Sequence, residues 1–99
     1  MNIGLDWDDT VTRDEIGWAC LVNFMRARGH KVYIVTWRDE GEAEDIKRSE
    51  FANIVDGIYA TNRQAKEKFM YAQGIRIDVM IDDNPRSWTT DMEVLTNAN

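Results

Sequence analysis

Asn2-Ile3-Gly4-Leu5-Asp6-Trp7-Asp8-Asp9-Thr10-Val11 opens as a short apolar run and closes on three carboxylates within four residues. Consecutive apolar positions over so short a stretch mark a strand buried on both faces, the pattern of a parallel sheet. Two further runs, Lys31 to Val35 and Arg76 to Ile81, are rich in β-branched residues and also end in polar clusters, at Thr36 and at Asp82-Asp83. Between the first two strands, Thr12-Arg13-Asp14-Glu15 has capping-box spacing and predicts a helix start. Ile16, Cys20, Phe24 and Ala27 then recur at helical spacing, widened by Trp18, Leu21 and Met25, and Gly29 stands just past the end. This stripe is expected to lie on the sheet, which makes Cys20 a core residue and leaves His30 exposed beyond the helix.

Further along, Asp39 with Glu42 predicts a second helix whose apolar face is thin, Ala43 and Ile46 before Phe51. Ile54 to Ala60 reads as a brief third strand centred on Ile58-Tyr59-Ala60 after the turn-forming Asp56-Gly57. Asn62 is expected to cap a third helix with Ala65, Phe69 and Ala72 on one face and Gly74 at its end. Strands separated by helices, with no tight hairpins between them, are βαβ crossovers. The fold class is therefore α/β: one domain over residues 1–99, an open three-layer parallel sheet with helices on both faces. If the chain winds outward through the first three strands and returns beside the first, the strand order is 3-2-1-4. Met92 to Leu95 is the one apolar group of the tail and is expected to add a short fifth strand at the edge.

Composition narrows the function classes. The 43% apolar content of 99 residues suffices for one core. Eighteen acidic residues against twelve basic ones give a net charge of −6, which repels long polyanions, so no extended nucleic-acid binding is expected. A single cysteine forms no internal disulfide, and a single histidine leaves no Cys/His zinc cluster. Any metal would be a hard, oxygen-bound one. The first apolar run is broken by Asp6, too short for a signal peptide or a membrane span, so a cytoplasmic location and no membrane partner are expected.

In a parallel sheet the strand ends share one edge, so Asp6, Thr36, Asp82 and Asp83 should converge where open α/β sheets bind ligands. A buried strand end is a rigid mount for a carboxylate that attacks phosphorus, which suits Asp6. Asp8, just beyond the strand, can protonate the departing oxygen and then activate water. Because each carboxylate repels a phosphate dianion, a divalent cation must stand between them, and Mg²⁺ could be held by Asp6, the backbone carbonyl of Asp8, and Asp82. Thr36 offers a hydroxyl and N–H groups to a phosphoryl oxygen. Lys66, at the start of the third helix, is the expected phosphate-binding cation; Lys68 lies roughly 200° away around the helix. Arg38 and Trp37 are candidate substrate-binding residues, although Arg38 could equally pair with Asp39 or Glu42. Trp7, Trp37 and Trp88 could form an aromatic wall at the site, but shielding of the core edge is the simpler expectation.

Asp6-x-Asp8-x-Thr10-Val11, Thr36, a lysine before the last strand, and Met80-Ile81-Asp82-Asp83 resemble the four motifs of the haloacid dehalogenase-like phosphatases, over about residues 2 to 86. The resemblance implies a Rossmann-like core, a phospho-aspartyl intermediate at Asp6, Asp8 as acid and base, Thr36 and Lys66 on the phosphate, and Mg²⁺ at Asp6, Asp8 and Asp82 with Asp83 as an auxiliary ligand. Members of that family often carry a cap domain, for which this chain has no room, so the implied form is capless and open. Capless relatives often shield the site with a partner or a neighbouring subunit, which makes a homo-oligomer an expectation. Trp37 stands where small residues are common in that family, so the following loop is expected to be shaped differently. The expected activity is hydrolysis of a phosphate monoester, small or at a nucleic-acid terminus. Alternatives are a silent phosphate-binding regulatory module and a phosphotransferase.

Overall fold

Four short strands form the sheet: β1 (Asn2–Leu5), β2 (Lys31–Thr36), β3 (Gly57–Ala60) and β4 (Val79–Ile81). All pairings are parallel in the order β3-β2-β1-β4, so the winding reverses at β1. Ile3 stands opposite Val32 on one side and Val79 on the other. The computed structural model describes residues 1–97.

Alternation along the strands builds two cores. Ile3, Leu5, Val32, Ile34 and Ala60 meet Val22 of α1 (Glu15–Ala27), Ile46 of α2 (Glu44–Arg48), Ala43 and Phe51 on one face. Tyr33 and Val35 meet Met70 of α3 (Lys66–Ala72), Ile77 and Trp88 of α4 (Arg86–Thr89) on the other. The result is three layers, as expected of βαβ winding. Gly4 points into the second core, where a Cβ would stand 2.5 Å from Met80 Sδ and 3.2 Å from Ile77 Cγ2.

The first helix departs from its predicted start and from its predicted buried face. Thr12 lies in a 3-10 turn (Val11–Arg13) and its Oγ1 accepts from the Asp9 N–H at 3.0 Å. The cap is Asp14, whose Oδ1 accepts from Gly17 N at 3.0 Å. The Thr12–Glu15 box does not form because the chain is still turning out of the strand at Thr12. Trp18, Val22 and Met25 face the core, while Ile16 is 81% and Phe24 65% exposed and Cys20 is exposed as well. The helix carries two apolar lines about 180° apart, and periodicity alone cannot say which of them meets the sheet. Cys20 is therefore not a core residue.

Both longer helices end as their glycines predict. His30 N and Gly29 N donate to Met25 O and Arg26 O, at 3.1 and 2.9 Å, and Ile75 N and Gly74 N repeat the arrangement on α3. His30 is half-buried and its Nδ1 lies 2.8 Å from the Met1 amine, so it is not the free surface group expected. Asn62 does not cap α3: it and Arg63 take φ of 53° and 65°, and its side chain accepts from Glu40 N at 2.9 Å. The open N–H of Ala65 is taken instead by Asp91 Oδ1 at 2.6 Å. Lys66 and Met70 form the buried line of α3, and Ala72 is exposed. The expected fifth strand is a helix, α5 (Met92–Asn97), because Asp91 and the Met92 N–H, 2.8 Å from Arg63 O, tie the tail to the start of α3 and away from the edge of β4. No helix among the described residues is long and apolar enough to cross a membrane.

Candidate active site

Asp6 and Asp82 are the first residues beyond β1 and β4, and Asp6 N donates to Ile81 O at 2.9 Å, so adjacent parallel strands present both carboxylates at one edge. One carboxylate oxygen from each of Asp6, Asp82 and Asp83 lies within 4.8 Å of the others. Lys66 enters from α3, 1% exposed, with Nζ at 2.8 Å from Asp6 Oδ1 and 2.5 Å from Asp82 Oδ2. A lysine at a helix start opposes the dipole; here two carboxylates hold it. Lys68 turns away to Asp91 at 2.9 Å.

Further groups steady the cluster. Thr10 Oγ1 lies 3.1 Å from Asp6 Oδ2 and accepts from Asp83 N at 3.2 Å. Ser87 Oγ donates to Asp82 Oδ2 at 2.6 Å, and Asn84 N donates to Asp82 Oδ1 at 2.9 Å. The positioning roles of Thr10, Asn84 and Ser87 escape a reading of the sequence. Thr10 and Asn84 lie so close to the acidic runs that turn chemistry accounts for them, and Ser87 carries no pattern of its own.

Burial pushes the Asp6 carboxyl up to about 7; Lys66 opposes the rise, while Asp83 and Asp82 add to it. Three carboxylates against one ammonium leave two negative charges uncompensated when all ionise. All are hard oxygens, those of Asp6 and Asp82 on rigid strand ends, a donor set of the kind hard divalent cations take.

A cleft of about 180 Å³ is lined by Asp6, Asp8, Thr36, Trp37, Lys66, Asp82 and Asp83, with Asp9, Ser87 and Met92 also on its wall. Thr36 is buried, and its Oγ1 accepts from Arg38 N at 3.3 Å. Trp37 presents a buried Nε1 with no hydrogen-bond partner among the described residues. Asp8 reaches the cleft but not the carboxylate cluster. Its exposed carboxylate is gripped by Arg38, with Nε at 3.0 Å from Oδ2 and Nη2 at 2.7 Å from Oδ1. Arg38 Nη1 also donates to Asp45 Oδ1 at 2.6 Å and Glu42 O at 2.9 Å, and these partners hold it charged throughout the accessible pH range. Asp39 and the Glu42 carboxylate pair with Arg63 instead, at 3.5 and 3.0 Å. Of Trp7, Trp37 and Trp88, Trp7 is a core residue meeting Phe51 edge-on at 5.5 Å, and Trp88 packs in the second core. Only Trp37 of the three lines this cleft.

No family model, curated protein or solved structure matches the chain.

Proposed function

We propose that the protein is a capless, Mg²⁺-dependent phosphomonoester hydrolase of the haloacid dehalogenase-like type, working through an aspartyl-phosphate on Asp6. The convergence of Asp6, Asp82 and Asp83 around buried Lys66 at the carboxyl edge of a parallel sheet carries this proposal. Asp6, the Asp8 carbonyl and Asp82 would hold the ion, with Asp83 auxiliary. Bound there, Mg²⁺ supplies the positive charge that lets a phosphate dianion approach ionised carboxylates. Asp6 Oδ attacks phosphorus as the ester's P–O bond breaks, and Asp8, once it has left Arg38 and taken a proton from solvent, gives that proton to the departing oxygen. Asp8 then takes a proton from water, whose oxygen displaces Asp6 from phosphorus and releases inorganic phosphate. Lys66 and Thr36 hold the non-bridging oxygens throughout. For both proton transfers Asp8, whose side chain is the more exposed of the pair, leaves Arg38, which Asp45 and the Glu42 carbonyl keep in place. Arg38 is then free to meet the phosphate side of the substrate.

The cleft, at about 180 Å³, takes a phosphoryl group together with a bound ion and leaves a larger ester group toward solvent. A nucleotide or a terminal nucleic-acid phosphate suits such an open site. Phosphate release from a panel of monoesters, with Mg²⁺ and with EDTA, tests the proposal on wild type and Asp6→Asn. Release that needs Mg²⁺ and falls by about three orders of magnitude or more in the variant is expected. Full activity in Asp6→Asn sinks the nucleophile. The grip of Arg38 on Asp8 favours a second reading, a regulatory module that binds phosphate esters without turning them over. Ester binding in the absence of multiple turnover would identify it.

A further inference from the structure

Asp8 lines the cleft and Arg38 does not, so the guanidinium stands behind the carboxylate, away from the place of a reacting phosphoryl group. Arg38 Nε and Nη2 donate side by side to the two oxygens of Asp8, at 3.0 and 2.7 Å, the paired geometry in which a guanidinium holds a planar anion. Nη1 is occupied separately by Asp45 Oδ1 and Glu42 O. When Asp8 turns into the cleft, the fork of Nε and Nη2 therefore stays where it is and loses both acceptors. The Arg38 side chain is only 23% exposed, so water replaces those two bonds in part, and uncovered donors on a half-buried cation are costly. An oxyanion that arrives as Asp8 leaves restores both bonds.

What arrives has to match what leaves. Asp8 brings one negative charge shared by two equivalent oxygens. Asp45 remains on the same guanidinium, so a dianion in the place of Asp8 would stand beside a carboxylate with too little positive charge for both. A phosphodiester has a single charge on two equivalent non-bridging oxygens, the charge and the fork of the carboxylate it replaces. The reacting phosphoryl group is not that anion, since Lys66 and Thr36 hold it against Asp6 inside the cleft. Building on the hydrolysis proposed above, we propose that Arg38 selects a monoester whose neighbouring group is a phosphodiester, the terminal phosphate of a nucleic-acid strand. As Asp8 turns into the cleft, the adjacent diester takes its place on the Arg38 fork. A mononucleotide leaves the fork empty. One diester contact is local, so the net charge of −6 that repels a long duplex leaves a short strand end free to bind.

Dinucleotides phosphorylated at the 5′ or the 3′ end, each made with a natural diester and with a neutral methylphosphonate linkage, test this. Affinity is read by calorimetry with Mg²⁺ on Asp6→Asn, which separates binding from turnover, and kcat/KM is read on wild type. At one end or both, the natural linkage is expected to be favoured about tenfold in each measurement. The end that shows the preference is the terminus the site accepts. The preference should narrow in Arg38→Lys, which keeps the charge but not the fork, and vanish in Arg38→Gln. The two linkages are compared on unaltered Arg38 first, so a loss of folding in Arg38→Gln leaves the test intact. A diester preference with no turnover of either compound removes the hydrolase and leaves the role of Arg38 standing. Mg²⁺-dependent turnover at equal rates on both linkages leaves the hydrolase standing and overturns the role of Arg38, as does a preference that Arg38→Gln retains, or binding of neither compound.

Discussion

Asp6 is the residue on which most depends, and its surroundings give it a pH signature. Burial raises its carboxyl to about 7 in the folded chain, so the favourable contribution of its protonated form is fully present below the ordinary value near 3.8 and is lost as pH rises toward 7. Asp6→Asn removes that loss. In EDTA the unfolding free energy of the variant relative to wild type is expected to climb between pH 4 and pH 7.5, by an amount on the order of a few kcal/mol at most. A difference that stays constant across that range contradicts the burial argument. A second prediction concerns Asp9, which takes φ of 62° in the turn leaving β1. A left-handed conformation costs a residue with a Cβ about 1 kcal/mol, so Asp9→Gly should raise the melting temperature by several degrees in thermal unfolding. At this scale Asp6, Lys66 and Asp82 were legible, because strand ends and helix phase follow from short-range pattern. The grip of Arg38 on Asp8 was not, since residues thirty apart in sequence meet through loop geometry that no local pattern encodes.

Among the elements, strands were easier to read than helices. β1 begins and ends where its apolar run does, whereas α1 turns the Trp18 and Met25 side of its expected stripe to the sheet and leaves the Ile16, Cys20 and Phe24 row outside. Strand alternation has two faces and both were buried, so no choice was needed; a helix apolar on two sides leaves a choice that only tertiary packing makes. The start of α3 was misplaced for a related reason, because its open N–H is satisfied from a distance by Asp91 and not by Asn62. Asp91 also holds Lys68 at 2.9 Å, and together these contacts pull its carboxyl below the usual range. Asp91→Ala is therefore expected to fray the first turn of α3, lower the melting temperature and loosen Lys66. Faster hydrogen exchange at the N–H groups of residues 65 to 68, relative to the rest of the helix, is the check.

For the molecule as a whole, the parallel sheet follows from the chain's alternation of apolar runs and amphipathic segments, and of the windings open to it the chain takes 3-2-1-4. The winding reverses at β1, and that reversal is what sets Asp6 beside Asp82 and opens the cleft. The tail forms a helix where a strand was expected because a group as short as Met92, Val94 and Leu95 fits either state, and its ties to α3 decide the outcome. Covalent capture of the intermediate tests the central claim most directly. Wild type turning over a phosphate monoester with Mg²⁺ is quenched, the acyl phosphate is reduced with borohydride, and the modified residue is located by mass spectrometry. The expected product is homoserine at position 6, absent with EDTA. Mg²⁺-dependent turnover that leaves residue 6 unmodified, or that persists at the full rate in Asp6→Asn, contradicts the account.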